Sequence, residues 1–224
     1  MAGDSFREFV MNGNFTELKK ILEENKDLLL KVDESGRLPL HWAVSQGHSE
    51  IADYLLDLGT PVDFKDESGW TPLMIAVSAG RPKIVNSLIH RRADINAVNN
   101  NGQCSLHYAV SKNRYEIAEC LLNNKAAPNI ADWMGSTPLH RAASKGHTNI
   151  VTLLLQHKAN VNYADREGNT PLHLACEEER AEVAYMLVRN GALLTILNKE
   201  EKTPLDLVPL KIRRNLKNLS DQTM

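Results

Sequence analysis

The stretch Glu167-Gly-Asn-Thr-Pro-Leu-His-Leu-Ala-Cys176 decides the fold, because its inner frame, Gly-x-Thr-Pro-Leu-His-x-Ala, returns at a fixed interval. Leu-His-x-Ala stands at 40–43, 106–109, 139–142 and 172–175, so every step is 33 residues or a multiple of 33. The frame opens on Gly36, Gly69, Gly102, Gly135 and Gly168 without a gap. Carried outward, the same phase reaches Gly3, with Ser5 in the Thr position, and Glu201, followed by Thr203-Pro204-Leu205. Self-similarity at such a period is the mark of an array of identical supersecondary units.

Each frame position has a physical task. Thr71-Pro72, Thr137-Pro138, Thr170-Pro171 and Thr203-Pro204 place a side-chain acceptor at a helix N-cap and a residue lacking an N–H at the first helical position. About ten residues later come Asn14, Gly47, Gly80, Asn113 and Gly146, the residue types that tolerate the left-handed conformation in which a helix ends. A second apolar stretch follows, with Ile51, Leu55 and Leu56 matched by Ile84, Leu88 and Ile89, then by Ile117, Leu121 and Leu122, and by Ile150, Leu154 and Leu155. That spacing lines one face of a second helix. Asp33, Asp66, Asn99, Asp132 and Asp165 lie three residues before the frame glycines and mark tight turns, so hairpin-like fingers are expected between helix pairs.

The period and the Thr-Pro-Leu-His-x-Ala frame resemble the ankyrin repeat. The expectation is an all-α ankyrin-repeat solenoid of seven 33-residue helix-turn-helix units, one domain over 1–224, with units beginning near Gly3, Gly36, Gly69, Gly102, Gly135, Gly168 and Glu201. So short a helix pair has little core of its own and must bury its apolar face against its neighbours. The end units depart from the frame as caps should. The first has Phe6, Arg7, Glu8, Phe9 and Val10 in place of Pro-Leu-His-x-Ala, and the last has Asp206 for His, with Pro209 expected inside its first helix.

Composition narrows the function. With 42% hydrophobic and 24% charged residues the chain is of ordinary globular type. Apolar runs such as Leu28–Leu30 and Leu153–Leu155 fall far short of the roughly 20 residues of a membrane span, and the first 30 residues carry charges instead of a signal segment. Three cysteines, Cys104, Cys120 and Cys176, are an odd number without CxxC spacing, which points to free thiols in the cytoplasm or nucleus. A net charge of −2, with a basic cluster only at Lys211, Arg213, Arg214 and Lys217, argues against nucleic acid as the main partner.

The four frame histidines, His41, His107, His140 and His173, recur one per unit. Stacked helical units lie roughly 8–10 Å apart, whereas zinc needs ligands at about 2.1 Å, so these residues read as structural hydrogen-bonding groups, and no cofactor is implied. No Ser-His-Asp or Cys-His set has a sequence reason to converge, so a binding module is expected in place of an enzyme. Binding residues are sought at positions the frame leaves free. These are Arg37 and Trp70 on fingers, Trp42, Tyr108 and Arg141 on first helices, and Lys112 and Lys145 at helix ends, with the acidic Glu177, Glu178, Glu179 and Glu182 in a later unit. Aromatic and cationic residues are the types enriched at interface hot spots. A cationic-to-acidic progression would orient a charged helical partner.

Residues outside the frame say more. Gly36-Arg-Leu-Pro-Leu-His-Trp-Ala43, Ala97-Val-Asn-Asn-Asn-Gly102, Leu106-His-Tyr-Ala-Val-Ser-Lys-Asn-Arg114, Glu167–Cys176 and Asn198-Lys-Glu-Glu-Lys-Thr-Pro-Leu205 resemble the gankyrin family. That resemblance implies an assembly chaperone of the 26S proteasome regulatory particle that grips the C-terminal domain of one proteasomal ATPase subunit as a monomer. It also implies contact roles for Arg37 and Lys112 toward carboxylates, with Glu67, Trp42 and Trp70 nearby, and for the acidic run toward basic residues. The family is further associated with a cyclin-dependent kinase, the retinoblastoma protein and a ubiquitin ligase. Leu174, Cys176 and Glu178 match the Leu-x-Cys-x-Glu motif of retinoblastoma partners, though Cys176 falls at an inward frame position.

Overall fold

The computed structural model describes the backbone of residues 2–223 and the side chains of residues 6–221. Thirteen α-helices and two 3-10 helices are found among the described residues, and no β-strand. They divide into two compact units, Met1–Asn100 and Asn101–Met224.

The first unit holds three helix pairs, α1 (Ala2–Asn12) with α2 (Phe15–Glu24), α3 (Pro39–Gln46) with α4 (Ser49–Asp57), and α5 (Pro72–Ala79) with α6 (Pro82–His90). The second holds α7 (Ser105–Ser111) with α8 (Tyr115–Asn123), α9 (Pro138–Lys145) with α10 (Thr148–Gln156), and α11 (Pro171–Glu177) with α12 (Ala181–Arg189). A 3-10 turn (Pro204–Leu207) and α13 (Leu210–Thr223) complete it. The first helices start at the expected caps. Thr71 Oγ1 accepts the Met74 N–H at 3.3 Å and Thr170 Oγ1 the His173 N–H at 3.4 Å. They stop at Gly47, Gly80 and Gly146, at φ +88°, +68° and +74°. Where the frame supplies no glycine, Asn113 and Glu179 adopt the same left-handed conformation at +54° and +53°.

The core of each unit is made of the frame's apolar positions. Leu40, Ala43 and Val44 are fully buried in α3, as are Leu73, Ala76 and Val77 in α5. In the second unit Leu106, Leu139 and Leu172, with Ala109, Ala142 and Ala175, are likewise fully buried. Alanine at the i+3 position lets neighbouring helices approach, while leucine supplies the buried area.

Every frame histidine joins two repeats. The backbone N–H groups of Leu38, Cys104, Thr137 and Thr170 donate to Nδ1 of His41, His107, His140 and His173 at 3.0–3.2 Å. With Nδ1 accepting, Nε2 carries the proton and donates one repeat onward, to the carbonyls of Phe64, Ser136, Asn169 and Lys202 at 3.0–3.2 Å. All four imidazoles are at most 2% exposed, and burial of the charged form lowers each pKa from the usual 6.5. They are neutral links between repeats.

The fingers are tight turns whose aspartates organise the backbone. Asp66 Oδ1 accepts from the Ser68 and Trp70 N–H groups, Asp132 Oδ1 from Met134 and Ser136, and Asp165 Oδ1 from Glu167 and Asn169. Successive fingers are tied through the main chain. In the first unit Glu67 N–H donates to Ser35 O and Asn100 N–H to Ser68 O. In the second, Trp133, Arg166 and Lys199 N–H groups donate to Asn101, Met134 and Glu167 carbonyls.

The ends depart from the extended 33-residue phase. Helix α1 starts at Ala2, so the backbone of Ser5 is already inside a helix, and the side chain of Ser5 lies outside the described residues. Gly13, at φ +75°, ends that helix, whereas Asn14 at φ −79° is the N-cap of α2, accepting the Glu17 N–H on Oδ1. The end of α1 and the start of α2 are thus displaced one residue from the expected phase, and α2 ends back in phase at Glu24, 33 residues before the end of α4 at Asp57. At the other end Pro209 does not sit inside a first helix. That helix is cut to the 3-10 turn at 204–207, and Pro209 leads into α13, which fits a ring that cannot supply a helical N–H.

Candidate functional site

The candidate residues fall into two groups, those tied inward and those exposed to solvent. Asp33 and Asp132 each receive, besides their finger N–H groups, a side chain from nine residues on. The Trp42 indole Nε1–H donates to Asp33 Oδ2 at 2.9 Å, and Arg141 pairs with Asp132 Oδ2 at 2.5 Å. Burial alone would raise both carboxyls, but the surrounding donors outweigh it and hold both pKa values below the usual carboxylate range. For Asp33 those donors are the Arg37 and Ser35 N–H groups, the Trp42 indole and Arg7. For Asp132 they are the Arg141 guanidinium with the Ser136 and Met134 N–H groups. Arg37 reaches the next finger, donating from Nε to Asp66 Oδ2 at 2.9 Å, and Asp66 is only 2% exposed there. Trp42 is flanked by two guanidinium groups, with Arg7 at 4.3 Å and Arg37 at 5.1 Å from the ring centroid. Such stacking is a cation–π arrangement. Tyr108 donates its hydroxyl to Gln103 Oε1 at 2.6 Å. Trp42, Trp70, Tyr108 and Arg141 are each half-buried.

The second group is exposed. Lys112, the C-cap of α7, and Lys145, the last residue of α9, project into solvent, as do Glu177, Glu178, Glu179 and Glu182 around the end of α11 and start of α12. Lys112, Lys145 and Glu178 occupy the same frame position in successive repeats, so the cationic-to-acidic progression is present within the second unit itself. Glu67 is exposed at its finger tip in the first unit.

Cys176 is fully buried inside α11, and burial pushes its thiol up to about 12, so Leu174, Cys176 and Glu178 are not displayed as an extended peptide. Cys104 and His107 do meet, contrary to the expectation that no such pair converges, with Sγ 3.1 Å from Nδ1. Cys104 stands in the cap position of the frame threonine. It is 1% exposed, burial raises its pKa, and the same Nδ1 also accepts the Cys104 N–H, so the contact is a cap and not a nucleophile. Among the described residues no group of three or more His, Cys, Asp or Glu is placed to hold a metal ion.

The frame does not single out Trp133 and Met134, each 60% exposed at the finger tip after Asp132. Their register alone, one and two residues past a turn aspartate, was the available signal. Nor does it single out Arg7, which lies above Trp42 on α1, the helix whose end is displaced by one residue.

The family model for ankyrin repeats in three copies matches residues 8–99, 60–132 and 106–198. The chain belongs to the ankyrin-repeat family. It is 50% identical over 54 residues to the 26S proteasome non-ATPase regulatory subunit 10 of Rattus norvegicus, 24% of this chain and 23% of that protein. The Homo sapiens protein of the same name is 52% identical over 54 residues, 24% of each chain. A probable 26S proteasome regulatory subunit p28 of Saccharomyces cerevisiae is 38% identical over 56 residues, 25% of each. The aligned stretch therefore spans about a quarter of these relatives, less than the range from Gly36 to Leu205 over which the quoted segments are scattered. The ankyrin-repeat domain of Bcl-3 superposes with a TM-score of 0.85 at 26% identity over 95% of this chain and 97% of that one. The human ASB11 ankyrin-repeat domain gives 0.82 at 27% identity over 96% of each.

Proposed function

We propose that this chain is a protein-binding subunit associated with the proteasome, acting as an assembly chaperone that holds the C-terminal domain of an ATPase subunit of the regulatory particle. The observation that carries the reading is the identity of 50–52% to proteins named 26S proteasome non-ATPase regulatory subunit 10. The repeat supports a binding role in place of catalysis, because its buried side chains are spent on links between repeats and its exposed charges stand on helix ends and finger tips. In the second unit Lys112 and Lys145 are the cations best placed to meet partner carboxylates, and Glu177, Glu178, Glu179 and Glu182 to meet partner basic groups, with Tyr108 half-buried; in the first unit Arg37, Trp42 and Trp70 offer half-buried groups to the partner. Arg37 and Arg141 act chiefly as finger braces whose outer N–H groups still face the partner. The client fits a cytoplasmic and nuclear location.

The test is affinity purification of the full chain from its own cells, with identification of what is retained. Free ATPase-containing precursors with little mature 26S particle support the reading. Recovery of a kinase or a retinoblastoma-type protein without proteasomal subunits overturns it.

A further inference from the structure

We propose that a cleft in the first unit, which shares Arg37 and Trp42 with the binding surface proposed above, is a subsite for one apolar side chain carried on an acidic peptide segment of a protein partner. The cleft encloses about 290 Å³ beside the first finger. Its floor is apolar, formed by Phe6, Val10 and Leu28, none more than 6% exposed, with Pro39 and the Trp42 ring as a wall. The opening is ringed by Arg7, Lys31 and Arg37.

The argument for an acidic partner rests on which hydrogen-bonding groups are already used. Asp33, at the inner edge, accepts the Ser35 and Arg37 N–H groups at 2.8 and 3.0 Å and the Trp42 indole at 2.9 Å, leaving its acceptor capacity largely filled. Among the described residues the donors are not filled. Arg7 stacks on Trp42 and comes no nearer than 3.9 Å to Asp33 Oδ2 while its side chain is 48% exposed. Arg37 spends Nε on Asp66, leaving both terminal amino groups of its planar fork for another acceptor. Lys31 is exposed at the rim, and Glu34 is, among the described residues, the one exposed carboxylate there. A ligand that satisfies this rim must bring oxygen acceptors, and a carboxylate takes a guanidinium fork bidentately. A ligand that fills the floor must bring an aliphatic or aromatic side chain, and the volume admits one such side chain with part of its backbone. Stacking on Trp42 pre-orders both arginines, so little side-chain freedom is lost on binding.

The subsite deepens the binding reading given above without depending on the identity of the partner. Its test is isothermal titration calorimetry of the full chain with the acetylated, amidated hexapeptide Gly-Asp-Glu-Leu-Glu-Gly. Controls replace the leucine by alanine or the three acidic residues by lysine. The expected result is saturable binding at sub-millimolar concentration, weakened about tenfold by the alanine peptide through lost apolar burial and abolished by the lysine peptide. The double variant Arg7→Ala, Lys31→Ala changes only exposed side chains and is checked for folding by circular dichroism. It should lose affinity about fivefold or more. Absence of saturable heat up to millimolar peptide, equal binding of the alanine peptide, or full affinity in the double variant would overturn the proposal. A chain that binds the peptide but retains no proteasomal subunit refutes the assembly reading and leaves the subsite standing, whereas the converse refutes the subsite alone.

Discussion

Acidification from pH 7.5 to 5.5 should destabilise this chain well before its carboxylates titrate, and the four frame histidines set the size of the effect. Each is buried as the neutral Nε2–H tautomer, with its folded pKa depressed below 6.5, chiefly by desolvation. Above 6.5 neither the folded nor the unfolded form binds the proton, so the full stability is present. As pH falls through 6.5 the unfolded chain takes up protons that the folded chain refuses, and stability declines until the depressed folded pKa is reached. A group that stays neutral in the fold down to pH 5.5 loses about 1.4 kcal/mol over this interval. Four such groups set an upper limit of about 5 kcal/mol, a large share of the roughly 5–15 kcal/mol of an ordinary domain. His147, half-buried and also lowered, adds in the same direction. Urea unfolding followed by circular dichroism at pH 7.5, 6.5 and 5.5 gives the free energies directly. Equal stability at the three values would refute the tautomer assignment and the interlocking role built on it.

His140→Leu removes both an acceptor for the Thr137 N–H and a donor to Asn169 O, both in buried surroundings, and should cost about 2–6 kcal/mol at pH 7.5. Its urea curve should also depend less on pH than that of the parent. Lys158→Gly should stabilise by up to about 1 kcal/mol, because Lys158 is held at φ +63° whereas the matching Gly59 and Gly191 meet open space there, and thermal melting reads the gain. Gly102→Ala would set a methyl group within 2.1 Å of the Trp133 ring at a backbone φ of +74°. The ring must move, which a shift in tryptophan emission maximum and a lower melting temperature would reveal. Lys112→Glu combined with Lys145→Glu should leave melting unchanged yet reduce recovery of ATPase-containing precursors. Undiminished recovery would remove the second unit's cations from the interface.

Most of the fold was readable because the repeat restates each decision several times. Threonine caps, glycine stops and inward leucines repeat at 33 residues, so a local ambiguity in one repeat is settled by the others. The ends were not readable in that way. Gly13 displaces the end of α1 and the start of α2 by one residue, and Pro209 falls after a first helix already shortened to a 3-10 turn, because an end unit packs on one neighbour and its register is no longer fixed from both sides. The site was partly legible. Position within the frame marks Lys112, Lys145 and Glu178 as exposed. It does not distinguish them from Trp42 and Arg141, whose length and donors let them reach back nine residues to a finger aspartate. That return contact is three-dimensional and leaves no separate trace in the spacing.

The inward use of Trp42, Arg37 and Arg141 changes what these residues can contribute to recognition. A finger aspartate already holding two main-chain N–H groups fixes the turn, and a side chain from the next helix locks the finger to that helix. A partner meeting this surface finds fingers that are ordered beforehand, so it loses little of its binding energy to arranging them. The exposed lysines and glutamates at the first-helix ends have no such bracing duty and can vary in sign from repeat to repeat without disturbing the core. Within the second unit that separation gives a rigid face and a charge sequence written on its edge, Lys112 and Lys145 followed by Glu178. Affinity then depends on the braced half-buried groups and direction on the exposed charges. Reversing one lysine should therefore slow association while leaving dissociation almost unchanged, whereas truncating a braced residue such as Trp42 should do the opposite.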